Sequence, residues 1–112
     1  MTQTPPADLG PEDLRVGLAA EFTREIRSED ILAFARLSGD ENPLHTDAQY
    51  AGTTNYGRPI VHGAFQIALA SALIGMHLPG RRVVLGAVKS RFPAPLFYPC
   101  TCLLYTSPSP RD

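Results

Sequence analysis

The run Ala64-Phe65-Gln66-Ile67-Ala68-Leu69-Ala70-Ser71-Ala72-Leu73-Ile74-Gly75-Met76 constrains this chain more than any other. It carries no charge, and wound as an α-helix it is apolar on nearly every face. That is the pattern of a helix buried at the centre of a domain. The apolar stretch 64–78 is too short and too interrupted by glycine to span a membrane. Pro79-Gly80 ends the helix, and His77 falls in its last turn, where a cation suits the helix dipole. A helix buried on all sides needs a sheet to wrap it. Ala20-Glu21-Phe22-Thr23-Arg24-Glu25-Ile26 alternates as a first strand, and Val83, Val84, Leu85, Ala87 and Val88 predict a β-branched strand running to Phe92. Pro93 and Pro95 break it or confine it to an edge. The expected class is α+β, although two strands are too few to enclose such a helix.

Between the first strand and this helix lies Ser38-Gly39-Asp40-Glu41-Asn42-Pro43-Leu44-His45-Thr46-Asp47. Ser28, with Glu29 and Asp30 behind it, predicts the start of a preceding helix. Ile31, Leu32, Phe34, Ala35 and Leu37 give that helix a broad apolar face, and Gly39 stops it. Gly39 permits a positive φ, and Pro43 biases Asn42 away from helix, so the segment is expected to be irregular. Gly, Asp, Asn and Pro are also the commonest turn formers for purely local reasons. Here, however, the loop is held by a packed helix, which a solvent turn does not require. Asp40 and His45 are an acid/base pair if both face one cavity. Addition or removal of water across a carbon–carbon bond needs one group for the water proton and another for the carbon proton. Asn42 could hold the water, while Asp47 is read as the cap of a short helical piece, 48–51. At the start of the long helix, near His62 and Gly63, free N–H groups and a positive dipole end could bind a developing oxyanion. Gly63 has no side chain to block a ligand; equally, it could serve only to let the helix pack on the sheet. His62 is read as structural or pocket-lining. Arg81, Arg82, Lys89 and Arg91 could meet substrate phosphates, against the plain alternative that charged residues on a strand form its solvated face.

A formal net charge of -1, with no run of Lys or Arg, argues against nucleic acid as a partner. The N-terminus has neither a basic start nor an apolar core, so no signal peptide is expected and the default location is cytoplasmic. Residues 1–13 are Pro-rich and polar and predict a disordered lead-in. At the other end, residues 102–112 back-translate to a transposase-type sequencing adapter, and we expect them to be non-native. The native domain then occupies 14–101 and lacks its C-terminal strands, which a re-read of the source DNA beyond codon 101 would test. Setting that tail aside leaves Cys100 alone, and no disulfide, metal cluster or redox pair is expected. There is no phosphate-binding Gly loop, no Gly-x-Ser-x-Gly elbow and no His-Glu-x-x-His.

Gly39-Asp40-Glu41-Asn42-Pro43-Leu44-His45-Thr46-Asp47 resembles the G-D-x-N-P-[LIV]-H-x-D signature of the MaoC-like dehydratases, the (R)-specific enoyl-CoA hydratases. Pro59-Ile60-Val61-His62-Gly63 resembles the same family's entry into its central helix, and the likeness covers 14–99. After Phe97-Tyr98 the family usually has Gly-Asp-Thr, where this chain has Pro99-Cys100-Thr101. The resemblance implies a hot-dog fold, a curved antiparallel sheet wrapped round the helix at 63–78. It implies reversible hydration of a trans-2-enoyl thioester to the (3R)-3-hydroxyacyl thioester without metal or redox cofactor, in a homodimer with the acyl-CoA lying partly across the partner. Asp40 and His45 would be the catalytic pair, Asn42 would help place the water, and the Gly63 N–H would polarise the thioester carbonyl. Two other functions share the architecture. An acyl-CoA thioesterase would not require the Asp40–Asn42–His45 set, and release of free thiol would reveal it. A non-catalytic acyl-CoA-binding or partner subunit has no chemical reason to keep both Asp40 and His45.

Overall fold

A computed structural model describes residues 4–106. After a 3-10 turn at Pro11–Asp13, the chain forms β1 (Glu21–Ile26), α1 (Ser28–Ser38), α2 (Pro43–Thr46), α3 (Ala48–Ala51), α4 (Gly63–Met76) and β2 (Cys100–Tyr105). It falls into two compact units. The first holds Arg24–Ile67 and Ser90–Cys102; the second holds Ala68–Lys89 with the described parts of Met1–Thr23 and Leu103–Asp112. β1 and β2 form a two-stranded sheet. Its antiparallel sense follows from the ends: the Thr106 N–H donates to the Ala20 carbonyl at 3.0 Å, so the start of β1 meets the end of β2. β2 runs unbroken across residues 101 and 102, and its side chains alternate half-buried and exposed. Its Cys100 and Cys102 are free thiols with sulfurs 3.8 Å apart.

In the first unit, α1 begins one residue from its expected cap. Arg27 is the extended N-cap residue, and its N–H is satisfied by the Asp30 carboxylate at 2.8 Å; Ser28 is already helical. An acid at the third helical position reaches back to the cap N–H, so the Ser28 hydroxyl is not needed there. Gly39 ends α1 at φ 85°, with its N–H on the Ala35 carbonyl. The apolar face of α1 is narrower than its sequence suggests, because Ile31 and Ala35 are buried while Leu32 and Leu37 are exposed. The Gly39–Asp47 segment is also more regular than expected. Pro43 is the first residue of α2, where its missing N–H costs nothing, and the Asn42 side chain caps that turn by accepting from the Leu44 N–H at 2.9 Å. Asp47 caps α3 as expected, accepting from Gln49 and Tyr50.

In the second unit, residues 7–13 are not a disordered lead-in. Ala7 donates to the Met76 carbonyl at 2.8 Å and accepts from the Arg81 N–H at 2.8 Å, and Asp8 pairs with Arg82 at 2.7 Å. Residues 1–3 lie outside the described part. His77 stacks on Phe22 with ring centroids 4.9 Å apart. Two expectations fail. Residues 83–92 form no strand, and Val84, Leu85, Val88 and Phe92 are exposed. A β-branched run becomes a strand only beside a neighbour that shares its ladder and covers its side chains. α4 has the expected bounds but is not buried on all faces: Phe65 and Leu73 are buried, whereas Ala64, Ala68, Ala70 and Ser71 are exposed. Two six-residue strands offer too little surface to enclose it. No helix among the described residues is long and apolar enough to cross a membrane.

Candidate active site

The site lies wholly in the first unit. Its centre is His45, half-buried on α2 and fixed at four points. Its N–H donates to the Asn42 carbonyl at 2.9 Å, and its own carbonyl accepts from the Tyr98 hydroxyl. Its ring Nδ1 lies 2.8 Å from the Ile60 carbonyl, and the ring stacks on His62 with centroids 3.9 Å apart. A carbonyl can only accept, so Nδ1 carries the proton. In the neutral ring, Nε2 is then left with its lone pair, ready to take a proton.

Asp40, immediately after the left-handed Gly39, is exposed. Its N–H donates to the Ser38 hydroxyl at 3.1 Å, and its carboxylate accepts from the Asn42 N–H at 3.3 Å. Its main-chain carbonyl accepts from His62 Nε2 at 3.0 Å. One donor atom from each of Asp40, His45 and His62 lies within 4.8 Å of the other two. Two hydrogen bonds of about 2.8 Å reach slightly further than that, so one water fits between carboxylate and imidazole. Among the described residues these three could also hold a divalent cation.

A cavity of about 290 Å³ opens on His45; Asp40 lies near the imidazole but does not line the cavity. His45, Tyr56, Ile60, Gly63, Gln66 and Phe92 line it, with the Pro93–Leu96 strap closing one side. That strap is held by the Val61 N–H on the Leu96 carbonyl at 2.8 Å and by a bridge between Ile60 and Phe97. Gly63 is the first residue of α4, where the N–H has no intrahelical partner, and it faces the cavity. A Cβ built on it would press on the Phe92 ring at 3.2 Å.

The other sequence candidates fare unequally. Asn42 spends its side-chain oxygen on capping α2, which leaves only its amide N–H₂ for a water. His62 is not a pocket-lining residue: it is 1% exposed, packed between His45 and the edge of Phe34. Burial holds its pKa below the usual imidazole value, against a smaller opposing effect of the Asp40 carbonyl. None of Arg81, Arg82, Lys89 and Arg91 lines the cavity, and Arg82 is engaged by Asp8. Sequence reasoning missed Tyr98, Tyr56, Phe92 and Gln66. Only Gln66 left a signal, as the one amide in an apolar helix. Tyr98 shows no local pattern; burial raises its hydroxyl pKa, which suits a hydroxyl kept as a donor.

A half-buried imidazole of fixed tautomer and a helix N-terminus face one small cavity, with the Asp40 carboxylate close to the imidazole, an arrangement suited to acid/base chemistry. Residues 15–107 match the model of the MaoC-like domain, and the chain belongs to that family. It is 40% identical over 85 residues to the 3-hydroxybutyryl-CoA dehydratase of Methylorubrum extorquens, covering 76% of this chain and 54% of that protein. It is 38% identical over 89 residues to the (R)-specific enoyl-CoA hydratase of Aeromonas caviae, covering 80% and 66% respectively. The solved (R)-hydratase of A. caviae involved in PHA biosynthesis superposes with a TM-score of 0.78 at 39% identity, over 84% of this chain and 71% of that one. The fold is therefore the hot-dog fold of these hydratases. The chain spans about half to two thirds of the length of these curated relatives.

Proposed function

We propose that this protein catalyses reversible hydration of trans-2-enoyl-CoA to (3R)-3-hydroxyacyl-CoA. The observation that carries the reading is the approach of Asp40 and His45 to within 4.8 Å, beside a cavity that also contains Gly63. In the hydration direction, a water held between the two gives a proton to His45 Nε2 as its oxygen bonds to C3. The electron pair of the double bond moves toward the thioester oxygen, where the Gly63 N–H and the α4 dipole stabilise the charge. C2 then takes that proton from the His45 imidazolium, so imidazole and carboxylate end as they began, while the Asp40 carboxylate holds the water's other hydrogen; dehydration runs the same steps backwards. The names and activities of the relatives support this substrate class, and the cavity accommodates the reacting end of a short enoyl thioester. We further propose a cytoplasmic homodimer; the exposed Val84, Leu85 and Val88 support a surface that another copy covers.

Crotonyl-CoA hydration, followed as loss of the enoyl absorbance, tests the reading. Asp40→Asn and His45→Gln should each lower kcat by about 10²- to 10⁴-fold, the usual worth of a positioned acid or base, with KM nearly unchanged. Activity that survives both substitutions, or release of free thiol instead of hydration, overturns it.

A further inference from the structure

We infer that His62 is a positioning residue, a buried bracket that fixes both members of the acid/base pair through its N–H and its ring face at once. The inference rests on the reading of Asp40 and His45 as that pair. His62 Nε2 lies 3.0 Å from the Asp40 carbonyl, so it carries a proton and donates. The ring face stacks on His45 with an interplanar angle of 26°, while Phe34 packs edge-on at 5.0 Å and blocks the ring from turning away. His62 Nδ1 is buried without a hydrogen-bond partner. An unpartnered acceptor in the interior is unfavourable, and an apolar side chain would fill the same space at less cost. A histidine is retained because no simpler residue does both tasks. Phenylalanine would stack on His45 but could not hold the Asp40 carbonyl. Asparagine would hold the carbonyl but offers no ring to His45. The groups facing His62 are His45 from α2, Asp40 from the loop before it and Phe34 from α1, so the ring meets two titratable groups, the His45 imidazole and the Asp40 carboxylate, and one main-chain acceptor. The two stacked rings consequently hold opposite tautomers: the proton is on Nδ1 of His45 and on Nε2 of His62.

Imidazole ¹⁵N NMR on the labelled 112-residue chain at neutral pH tests this directly, and it needs no enzymatic activity. Beside the separately assigned His77, the expected spectrum has His62 with its proton on Nε2 and His45 with a proton on Nδ1. A protonated His62, a proton on its Nδ1, or exchange-averaged signals from it overturn the inference. In His62→Asn, which removes the ring face, the His45 signals should lose their single-tautomer values and move toward the average of the two, whereas His62→Phe, which keeps a ring against His45, should leave them in place. Unchanged His45 signals in His62→Asn show that Ile60 and Tyr98 suffice, which also overturns it. In an active preparation each variant should lose kcat by about 10- to 100-fold with KM within about twofold, the pattern of a displaced but intact pair. If wild-type protein shows the opposite tautomers yet hydrates no enoyl-CoA, the functional reading fails and the bracket stands.

Discussion

At the scale of the residue, His45 shows how a reactive side chain acquires a role from neighbours distant in sequence. Tyr98 is 53 positions away and Ile60 is 15, yet the first ties its backbone and the second selects its tautomer. Tyr98→Phe removes the hydroxyl donor and leaves the His45 carbonyl to find another partner. A stability loss of about 1 kcal/mol is expected in urea unfolding, with lower kcat at unchanged KM. His62 supplies a pH signature. Its ring is held neutral by burial, whereas in the unfolded chain it protonates near the ordinary value of 6.5. Below that pH the unfolded chain binds a proton that the folded chain resists. Stability is therefore complete above pH 6.5 and falls as pH drops, until the folded ring also protonates, by at most about 1.4 kcal/mol per pH unit. Thermal unfolding from pH 7.5 to 5 should show this decline, and His62→Asn should remove His62's share of it. Asp40 and His45 were legible as a pair because their motif is local. Tyr98 and the role of His62 were not, since both depend on contacts made across the unit.

Among the elements, two left-handed glycines separate backbone strain from steric clash. Gly39 has φ 85° and open space around a would-be Cβ, so Gly39→Ala should cost only the backbone term, roughly 1 kcal/mol. Gly80 has φ 102°, and a Cβ there would sit 1.9 Å from the Ala7 carbonyl oxygen. Gly80→Ala should therefore destabilise by more than Gly39→Ala, roughly 3 kcal/mol, and release the Ala7–Leu9 segment from the end of α4. Circular dichroism in denaturant gives the first quantity, and amide exchange at Ala7 and Leu9 gives the second. Equal losses in the two variants would contradict the clash. On α1, Ile31→Ala should cost about 2–5 kcal/mol, while the exposed Leu37→Lys should stay within about 0.5 kcal/mol. The sequence pattern treated those two leucine-like positions alike; only burial tells them apart.

For the whole molecule, the surplus of exposed apolar side chains is the dominant fact. Val84 is 90% exposed and Leu37 86%, and Val16, Leu103 and Tyr105 are also exposed. Such surface predicts strong binding of a hydrophobic dye and association that grows with protein concentration, both read by fluorescence and light scattering. A monodisperse monomer that binds no dye would contradict it. The α4 run illustrates the same division. Its helical state and bounds follow from composition and from Pro79-Gly80, both local. Its burial does not, because burial belongs to whatever surface meets the helix, and Ala64, Ala68, Ala70 and Ser71 stay exposed.

By itself the sequence determined the local grammar: where α1 stops, that Asp47 caps α3, which residues start α4, and that Asp40, Asn42 and His45 share one segment. These follow from capping, glycine and proline geometry and side-chain periodicity, which act over a few residues. Tertiary structure decided the rest: the tautomer of His45, the burial of His62, the cavity wall of Phe92 and the failure of 83–92 to become a strand. Each depends on a partner distant along the chain, and the energies of hydrogen bonds, stacking and burial exist only once that partner is in place.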